Sequence, residues 1–333
     1  MMETLKSGIF SLHGFFVATA IILMILYAFY YMMRKNYDHV ILMYITPAAV
    51  FFGFAGARLM YVTICDQLYV DAADKWRFTD GGYALFGAAA GVILTVIVFW
   101  LITKRKFRLL PVFDTLCAAA PAAIALGRLG SVFSQDCLGS FVEKEGLRFF
   151  PIAIFKQADG SYHYAVFFYE AVFCVILFFF IRYADKTIRR AGVSSFLFTS
   201  LYCSARAFLE GLREDSMRLG FVRINQVIAI LAVIGLFVYI CIRLFKRTKF
   251  KWKYLILYGA FTAAFVCAFF SEFYMYSESR AWNTVQILIC CIIMAASCMI
   301  AGIEYLRNTS IKQDNNGKQT AKSRKKILQG KEK

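Results

Sequence analysis

The sequence predicts an all-α integral membrane protein, a bundle of helices that crosses the bilayer several times. Hydrophobic residues make up 60% of the 333 residues and aromatic residues 17%, and the mean hydropathy is +0.60, well above the range of soluble domains. Apolar runs recur at about the 20-residue length that a helix needs to span a bilayer core. Basic residues concentrate in every second link between these runs, as in membrane proteins of fixed orientation.

Nine apolar runs are long enough to be transmembrane helices. They lie near residues 8–33, 39–65, 82–103, 111–130, 161–184, 193–212, 221–245, 253–271 and 284–305. The first run has no small-residue cleavage site, so it is predicted to stay in the protein as a helix. Short β-prone runs on either side of Asp159-Gly160 predict a small hairpin within residues 148–163.

The distribution of charge predicts the orientation of the bundle. Basic residues occupy the links after the first, third, fifth and seventh runs and the C-terminal tail, which predicts an outer N-terminus and a cytoplasmic C-terminus. The links at 66–80, 131–160, 213–222 and 272–283 then form the outer side. Because the basic residues are dispersed over several links, the formal charge of +17 does not indicate a nucleic-acid partner.

Composition along the chain predicts three parts. Residues 1–245 hold the polar residues within predicted spans and form the working membrane domain, and residues 246–305 form an appended transmembrane hairpin. Residues 306–333 are predicted to be a disordered basic tail that contacts anionic lipid. No cofactor or metal is expected, because the ten cysteines show no ligand spacing and no nucleotide-binding glycine pattern occurs.

Several ionisable residues fall inside the predicted spans, where each costs about 2.5–3.5 kcal/mol on insertion. Two interpretations stay open for them: mutual neutralisation as buried pairs, or a functional cavity that opens to lipid. The residues are Arg58, Asp114, Arg128, Glu170, Arg206 and Glu210.

The sixth run carries a polar stripe. Tyr202, Arg206, Glu210 and Arg213 are spaced at i, i+4, i+8 and i+11, which places them on one face of a helix. Glu210 is predicted to hold one of the two arginines and to leave the other donors free for a ligand. Arginine suits phosphate because its planar fork makes paired, charge-assisted hydrogen bonds.

A second group of polar residues lies in the glycine-rich stretch that ends the fourth run. It presents Arg128, Ser131, Ser134 and Asp136 beside Gly139. The sequence "GARLMYV" supplies a third patch, with Arg58 and Tyr61 on one helix face. Three arginines at a cavity open to lipid indicate an anionic, lipid-sized substrate, most simply a phospholipid.

The order of these motifs resembles that of the prolipoprotein diacylglyceryl transferases, bacterial membrane enzymes that lipidate lipoprotein precursors. The resemblance covers residues 8–245, and the stretch around Arg128 is its specific signature. The motifs are "GARLMYV", "DGGYALFGAAAG", Asp114, "GRLGSVFSQDCLG", Tyr169-Glu170, "YCSARAFLEGLR" and "INQVIAIL".

The resemblance implies a reaction and its partners. The diacylglyceryl group of phosphatidylglycerol is transferred to the lipobox cysteine of a prolipoprotein signal peptide, with release of glycerol phosphate, in the bacterial cell membrane. Arg128 and Arg206 match the family's essential arginines and Gly139 its signature glycine, while Tyr202 and Glu210 flank the second arginine as in the family. Arg58 and Ser131 are predicted to help bind the lipid.

The sequence also departs from the family pattern. Ser131 and Ser134 replace asparagines, Asp136 replaces a glutamate, and Phe86 stands where a histidine that could act as base is expected. Phenylalanine cannot accept a proton. His13 or Asp136 is therefore a candidate substitute base, unless His13 is simply packed in its helix. The alternatives are a relative that uses another phospholipid or acceptor, a non-catalytic lipid-binding or scaffold homologue, and a transporter.

Overall fold

The computed structural model describes residues 12–69, 74–77, 81–188, 190–220, 222–245, 252–274 and 284–305. In chain order the helices are α1 Leu12–Arg34, α2 Val40–Ile64, α3 Leu85–Ile102, α4 Leu109–Leu129, α5 Ser131–Ser134, α6 Val166–Ile188, α7 Val193–Leu197, α8 Cys203–Leu212, α9 Ile224–Phe245, α10 Trp252–Tyr274 and α11 Thr284–Tyr305. A π-helical segment, Phe198–Tyr202, joins α7 to α8. The strands are β1 Ala153–Lys156, β2 Ser161–Tyr164, β3 Arg218–Leu219 and β4 Val222–Arg223.

The predicted class, an all-α multi-pass membrane protein with a small β cap, is confirmed. Among the described residues, seven helices are long and apolar enough to cross a membrane. The run predicted at 193–212 is helical but is divided by the π-helical segment, and α10 contains a shorter apolar stretch, Ile256–Ala268. The predicted start of the fifth helix at residue 161 is wrong, because residues 161–164 pair as β2 and the helix begins at Val166.

The chain forms two compact units, Met1–Leu231 and Ala232–Lys333. In the second unit the rings of Phe237 and Phe261 stack with their centroids 4.0 Å apart, and the Cys298 thiol lies 3.9 Å from the carbonyl oxygen of Val233. These contacts join the second half of α9 to α10 and α11. The predicted division at residues 245 and 305 stays a prediction.

Helix packing in the first unit rests on two kinds of contact. The helices α1 and α4, α4 and α6, and α2 and α3 pack against one another. Buried residues of α1 to α4 form an apolar core: Ala28, Met32, Leu42, Ile45, Val96, Val112 and Ala119. The α2 and α3 backbones approach so closely that a Cβ at Gly91 would lie 2.1 Å from the carbonyl oxygen of Phe52. Only glycine fits there.

Asp114 and Asp185 fasten helices at the end of the bundle where α4 begins. The carboxylate of Asp114 accepts the backbone N–H groups of Gly192 and Ser195 and the Ser195 hydroxyl, which holds the start of α7 against α4. Asp185 of α6 accepts from the Tyr31 hydroxyl at 3.0 Å and pairs with Lys35 at 2.8 Å. Asp114 therefore supports the fold at this end.

The opposite end of the bundle carries a cap, defined here as residues 135–164 and 213–223 without residue 221. The predicted hairpin is confirmed: β1 and β2 pair antiparallel around a turn in which Gly160 has a φ of +66°. His163 is buried, with Nδ1 2.9 Å from the carbonyl oxygen of Gly139 and Nε2 2.9 Å from a carboxylate oxygen of Asp159. The Ser161 hydroxyl and then Lys156 lower the pKa of Asp159 to about 2, so its charge is retained at neutral pH.

We expect Gly91→Ala to destabilise the protein by about 1–3 kcal/mol, because the new methyl group forces the α2 and α3 backbones apart. Thermal unfolding in detergent measures this change. Gly235→Ala is the matched control, since a Cβ at that helical glycine meets no heavy atom of the described chain within 4 Å. Equal unfolding midpoints for the two variants would contradict the proposed close packing.

Candidate active site at the cap end of the bundle

Glu170, in the first turns of α6, lies where α4, α6 and α8 meet. Its Oε2 is 2.9 Å from Nε of Arg128 and 2.9 Å from Nη1 of Arg206. Its Oε1 accepts a hydrogen bond of 2.9 Å from the Tyr202 hydroxyl. Guanidinium groups from two separate helices therefore share one buried carboxylate oxygen.

Glu210 extends this contact along α8. Its Oε2 is 2.6 Å from Nη2 of Arg206 and 3.3 Å from Nη1 of Arg213, and its Oε1 accepts from the Asn225 amide at 3.0 Å. The prediction that Glu210 holds an arginine is confirmed for both arginines. The expectation that the remaining donors stay free is wrong for Nη1 of Arg206, which donates to Glu170, while Nε of Arg206 has no partner among the described residues.

Asp215 and Cys137 complete a closed network. Asp215 accepts from Nε of Arg213 at 3.0 Å and from the backbone N–H of Cys137 at 2.7 Å. The Cys137 Sγ lies 2.9 Å from Nη1 of Arg128, which returns the contacts to their starting point. We call this set the arginine network: Arg128, Glu170, Arg206, Glu210, Arg213, Asp215 and Cys137.

The arginine network contains three guanidinium groups and three carboxylates, so its formal charges cancel. Neutralisation and hydrogen bonding are what make buried charges tolerable in a low-dielectric interior. Burial raises the pKa of Asp215, but the charge of Arg213 and the hydrogen bond from Cys137 outweigh burial and bring this pKa below its usual value. Asp215 is therefore ionised at neutral pH.

Exposure distinguishes the two central arginines. The Arg206 side chain is 2% exposed, and its Nη atoms both face carboxylates. The Arg128 side chain is 16% exposed, and no residue in the described ranges accepts from its Nη2. Arg128 is thus the more accessible of the two arginines that share Glu170.

The polar face of α8 and of the π-helical turn before it points toward Glu170. Tyr202, the last residue of the π-helical segment, and Arg206 of α8 both contact Glu170, and Glu210 follows Arg206 one turn later. The ring of Tyr202 stacks on Phe198 at a centroid distance of 4.9 Å. The stripe predicted from the i, i+4, i+8 spacing is present and faces the network.

Arg58 is buried at the cap end of α2 and serves a different part of the structure. Its guanidinium donates to the backbone carbonyls of Lys75, Gly81 and Gly82 and lies over the ring of Tyr69. These contacts fasten the link between α2 and α3 to the bundle. The structure thus brings two of the three predicted arginines to one carboxylate, while a lipid-binding role for Arg58 stays a prediction.

The signature stretch after Arg128 folds as α5 and a tight turn. Ser131 is buried, Asp136 is exposed, and Ser134 Oγ lies 3.3 Å from Nδ1 of His13. A Cβ at Gly139 would lie 2.9 Å from Val166 Cγ2 and 3.2 Å from the carbonyl oxygen of Leu212. Glycine is needed at this position because the turn packs directly between α6 and the end of α8.

Sequence reasoning missed four members of this site. Glu170 was recognised as an ionisable residue of a span and part of a motif, but its position between two arginines was not predicted. Cys137 and Asn225 lie within motifs of the family resemblance and Asp215 lies outside them, but the roles of all three arise from contacts with distant segments, which no local pattern predicts. Within the described residues, no three His, Cys, Asp or Glu side chains are grouped to hold a metal ion.

The fold and the site define a multi-pass membrane protein with a buried arginine–carboxylate site near its cap end, in which Arg128 is partly exposed. Comparison with known proteins agrees with this class and narrows it. The chain belongs to the prolipoprotein diacylglyceryl transferase family, whose family model matches residues 5–243, and it is therefore a membrane-embedded transferase.

Curated relatives carry the same family name. A phosphatidylglycerol–prolipoprotein diacylglyceryl transferase of Clostridium botulinum (strain Loch Maree, type A3) is 31% identical over 224 residues, which cover 65% of this chain and 84% of that protein. Another from C. botulinum strain 657 is 32% identical over 209 residues, 60% of this chain and 80% of that protein. One from Listeria innocua is 29% identical over 236 residues, 68% of this chain and 84% of that protein.

We expect Glu170→Gln to destabilise the protein by about 3–5 kcal/mol, because it leaves two buried guanidinium groups without their shared counter-charge. The free energy of unfolding in a defined detergent measures the effect. Glu145→Gln removes the same charge from a side chain that is 90% exposed and is the matched control. A loss for Glu170→Gln no larger than that of the control would contradict the central position of Glu170.

Proposed function

We propose that this chain transfers the diacylglyceryl group of phosphatidylglycerol to the thiol of a lipobox cysteine in a prolipoprotein signal peptide. The names of its relatives, phosphatidylglycerol–prolipoprotein diacylglyceryl transferases, support both substrates. The observation that carries the proposal is the meeting of Arg128 and Arg206 at one oxygen of Glu170, with Arg128 partly open. The orientation predicted from charge places this site toward the outer leaflet.

Arg128 binds the lipid phosphate in this proposal. Its Nη1 donates to the Cys137 sulfur, which orients the guanidinium group, and its Nη2, from which no described residue accepts, gives a phosphate oxygen a charge-assisted bond. Because the arginine network is formally neutral, binding depends on the local direction of the Arg128 donors rather than on net positive charge. Arg206, nearly fully buried, supports Arg128 through their shared carboxylate.

The transfer forms one bond and breaks one bond. The cysteine sulfur attacks the diacylglyceryl carbon that is bonded to the phosphate oxygen, and the electron pair of that carbon–oxygen bond leaves with glycerol phosphate. The thiol proton goes to a base, since the thiolate is the nucleophile. Arg128 stabilises the negative charge that develops on the departing phosphate, while Tyr202 and Glu210 hold Glu170 and Arg206 in place.

His13 is the base in this proposal. It lies partly buried in the first turn of α1, and its Nδ1 is 3.3 Å from Ser134 Oγ in the signature stretch. When Nδ1–H donates to Ser134, Nε2 is the nitrogen that accepts a proton. Asp136, exposed beside Cys137, is the second candidate.

A non-catalytic lipid-binding homologue is the alternative that one residue favours. Phe86 occupies the first turn of α3, where the family resemblance leads us to expect a histidine, and its side chain is partly buried and apolar. Such a protein would bind phosphatidylglycerol without turnover. Purified protein, labelled phosphatidylglycerol and a lipobox peptide separate the two cases, because only a transferase forms the thioether.

We expect Arg128→Lys to lower the rate of thioether formation by about a hundredfold or more, because lysine lacks the planar fork that directs donors to the phosphate. Arg34→Lys, at the exposed end of α1, is the matched control and should retain the parental rate. If the Arg128→Lys protein were as active as the control, the proposed binding of the lipid phosphate by Arg128 would be contradicted.

We expect His13→Ala to lower the same rate by about 10²–10⁴-fold, the usual contribution of a general base. The loss should be smaller for Asp136→Asn, and His39→Ala, at the start of α2, should have no effect on the rate. A larger loss for Asp136→Asn than for His13→Ala assigns the base to Asp136 instead. Parental rates for both His13→Ala and Asp136→Asn would show that neither residue is the general base.

A further inference from the structure

We propose that Asp215 is a positioning residue for this reaction: its carboxylate joins the turn that carries Cys137 to Arg213 and thereby sets the direction of the Arg128 guanidinium. The inference rests on the function proposed above. Asp215 follows α8 in the cap, outside the sequence motifs that indicated the site. Among the described contacts, both of its oxygens are used within the protein, so it acts through other residues.

The backbone of Cys137 is held at both of its polar groups. Its N–H donates to Asp215 at 2.7 Å, and its carbonyl accepts from the N–H of Phe167 in α6 at 3.1 Å. Cys137 therefore connects the first turn of α6 to the segment after α8. This connection fixes where the Cys137 side chain starts.

Cys137 also has a backbone conformation that needs support. Its φ of +62° lies in the left-handed region, which is uncommon for residues other than glycine and costs about 1–3 kcal/mol. The bond from its N–H to Asp215 helps to hold this conformation. With the backbone fixed in this way, Sγ lies 2.9 Å from Nη1 of Arg128.

The Asp215 carboxylate also contacts a second part of the arginine network, the pair formed by Arg213 and Glu210. Its other oxygen accepts from Nε of Arg213 at 3.0 Å, and Arg213 in turn contacts Glu210. Two backbone contacts run beside this bond: the N–H of Glu214 donates to Leu138 at 3.0 Å, and Arg213 forms a β-bridge with Gly139. Asp215 is thus the side-chain link between two segments that already lie side by side.

Removal of the Asp215 carboxylate should weaken the positions of both Cys137 and Arg213. Without Asp215, the backbone N–H of Cys137 loses its acceptor and Arg213 keeps only Glu210 as a charged partner among the described residues. The turn is then free to relax, and Arg128 loses the sulfur that orients it. A displacement of about 1 Å at a group that stabilises the transition state can lower a rate by about a hundredfold.

The test measures kcat and KM for phosphatidylglycerol in thioether formation, below the thermal midpoint of each variant. We expect Asp215→Ala to lower kcat by about tenfold to hundredfold, with a smaller change in KM. Asp215→Asn keeps an oxygen that accepts from Cys137 and should recover part of this loss. Glu214→Gln removes a neighbouring carboxylate that is 60% exposed and should retain the parental kcat.

Alkylation of Cys137 by N-ethylmaleimide provides a second readout, with Cys137→Ser used to subtract the other cysteines. In the parent the thiol is buried, so labelling should be slow, and Asp215→Ala should accelerate it where Glu214→Gln does not. Parental kcat and parental labelling in Asp215→Ala would overturn the inference. If the parent binds lipid but forms no thioether, the proposed function fails while the labelling experiment still tests the position of Cys137.

Discussion

The structure depends on one constraint: a guanidinium group buried in an apolar helical bundle must find both a counter-charge and acceptors for its donors. Glu170 meets this requirement for two arginines at once. Glu170 belongs to α6 and joins this helix to α4 and α8, because Arg128 of α4 and Arg206 of α8 both contact its carboxylate. The cap then completes the network through Arg213 and Asp215.

The pairing of charges also decides what the site can do. A fully neutral and fully buried network would only support the fold, as Asp114 does at the other end of the bundle. Here one member, Arg128, is partly exposed and has an Nη2 from which no described residue accepts, while Arg206 is enclosed by Glu170 and Glu210. The same contacts therefore stabilise the bundle and direct a cationic group toward a bound anion.

Much of the fold was predictable, because the hydropathy and charge of a single segment are enough to indicate whether it forms a membrane-spanning helix. The spacing of Tyr202, Arg206 and Glu210 also predicted a shared face, and all three side chains lie on it. The sharing of Glu170 was not predictable in this way, since it depends on how three helices pack. Asp215 and Cys137 are 78 residues apart, and no local pattern indicates that a loop carboxylate accepts from that backbone N–H.

The π-helical segment Phe198–Tyr202 has a consequence for the angular phase of the helix that contains it. Such a segment holds one more residue than an α-helical turn, which rotates everything after it by about 100° relative to an unbroken helix. On one side of it, Ser195 faces Asp114; on the other, Arg206 faces Glu170. The single extra residue thus allows side chains before and after the segment to point in the two directions that these contacts require. Deletion of one residue there would turn the guanidinium group of Arg206 away from the carboxylate of Glu170.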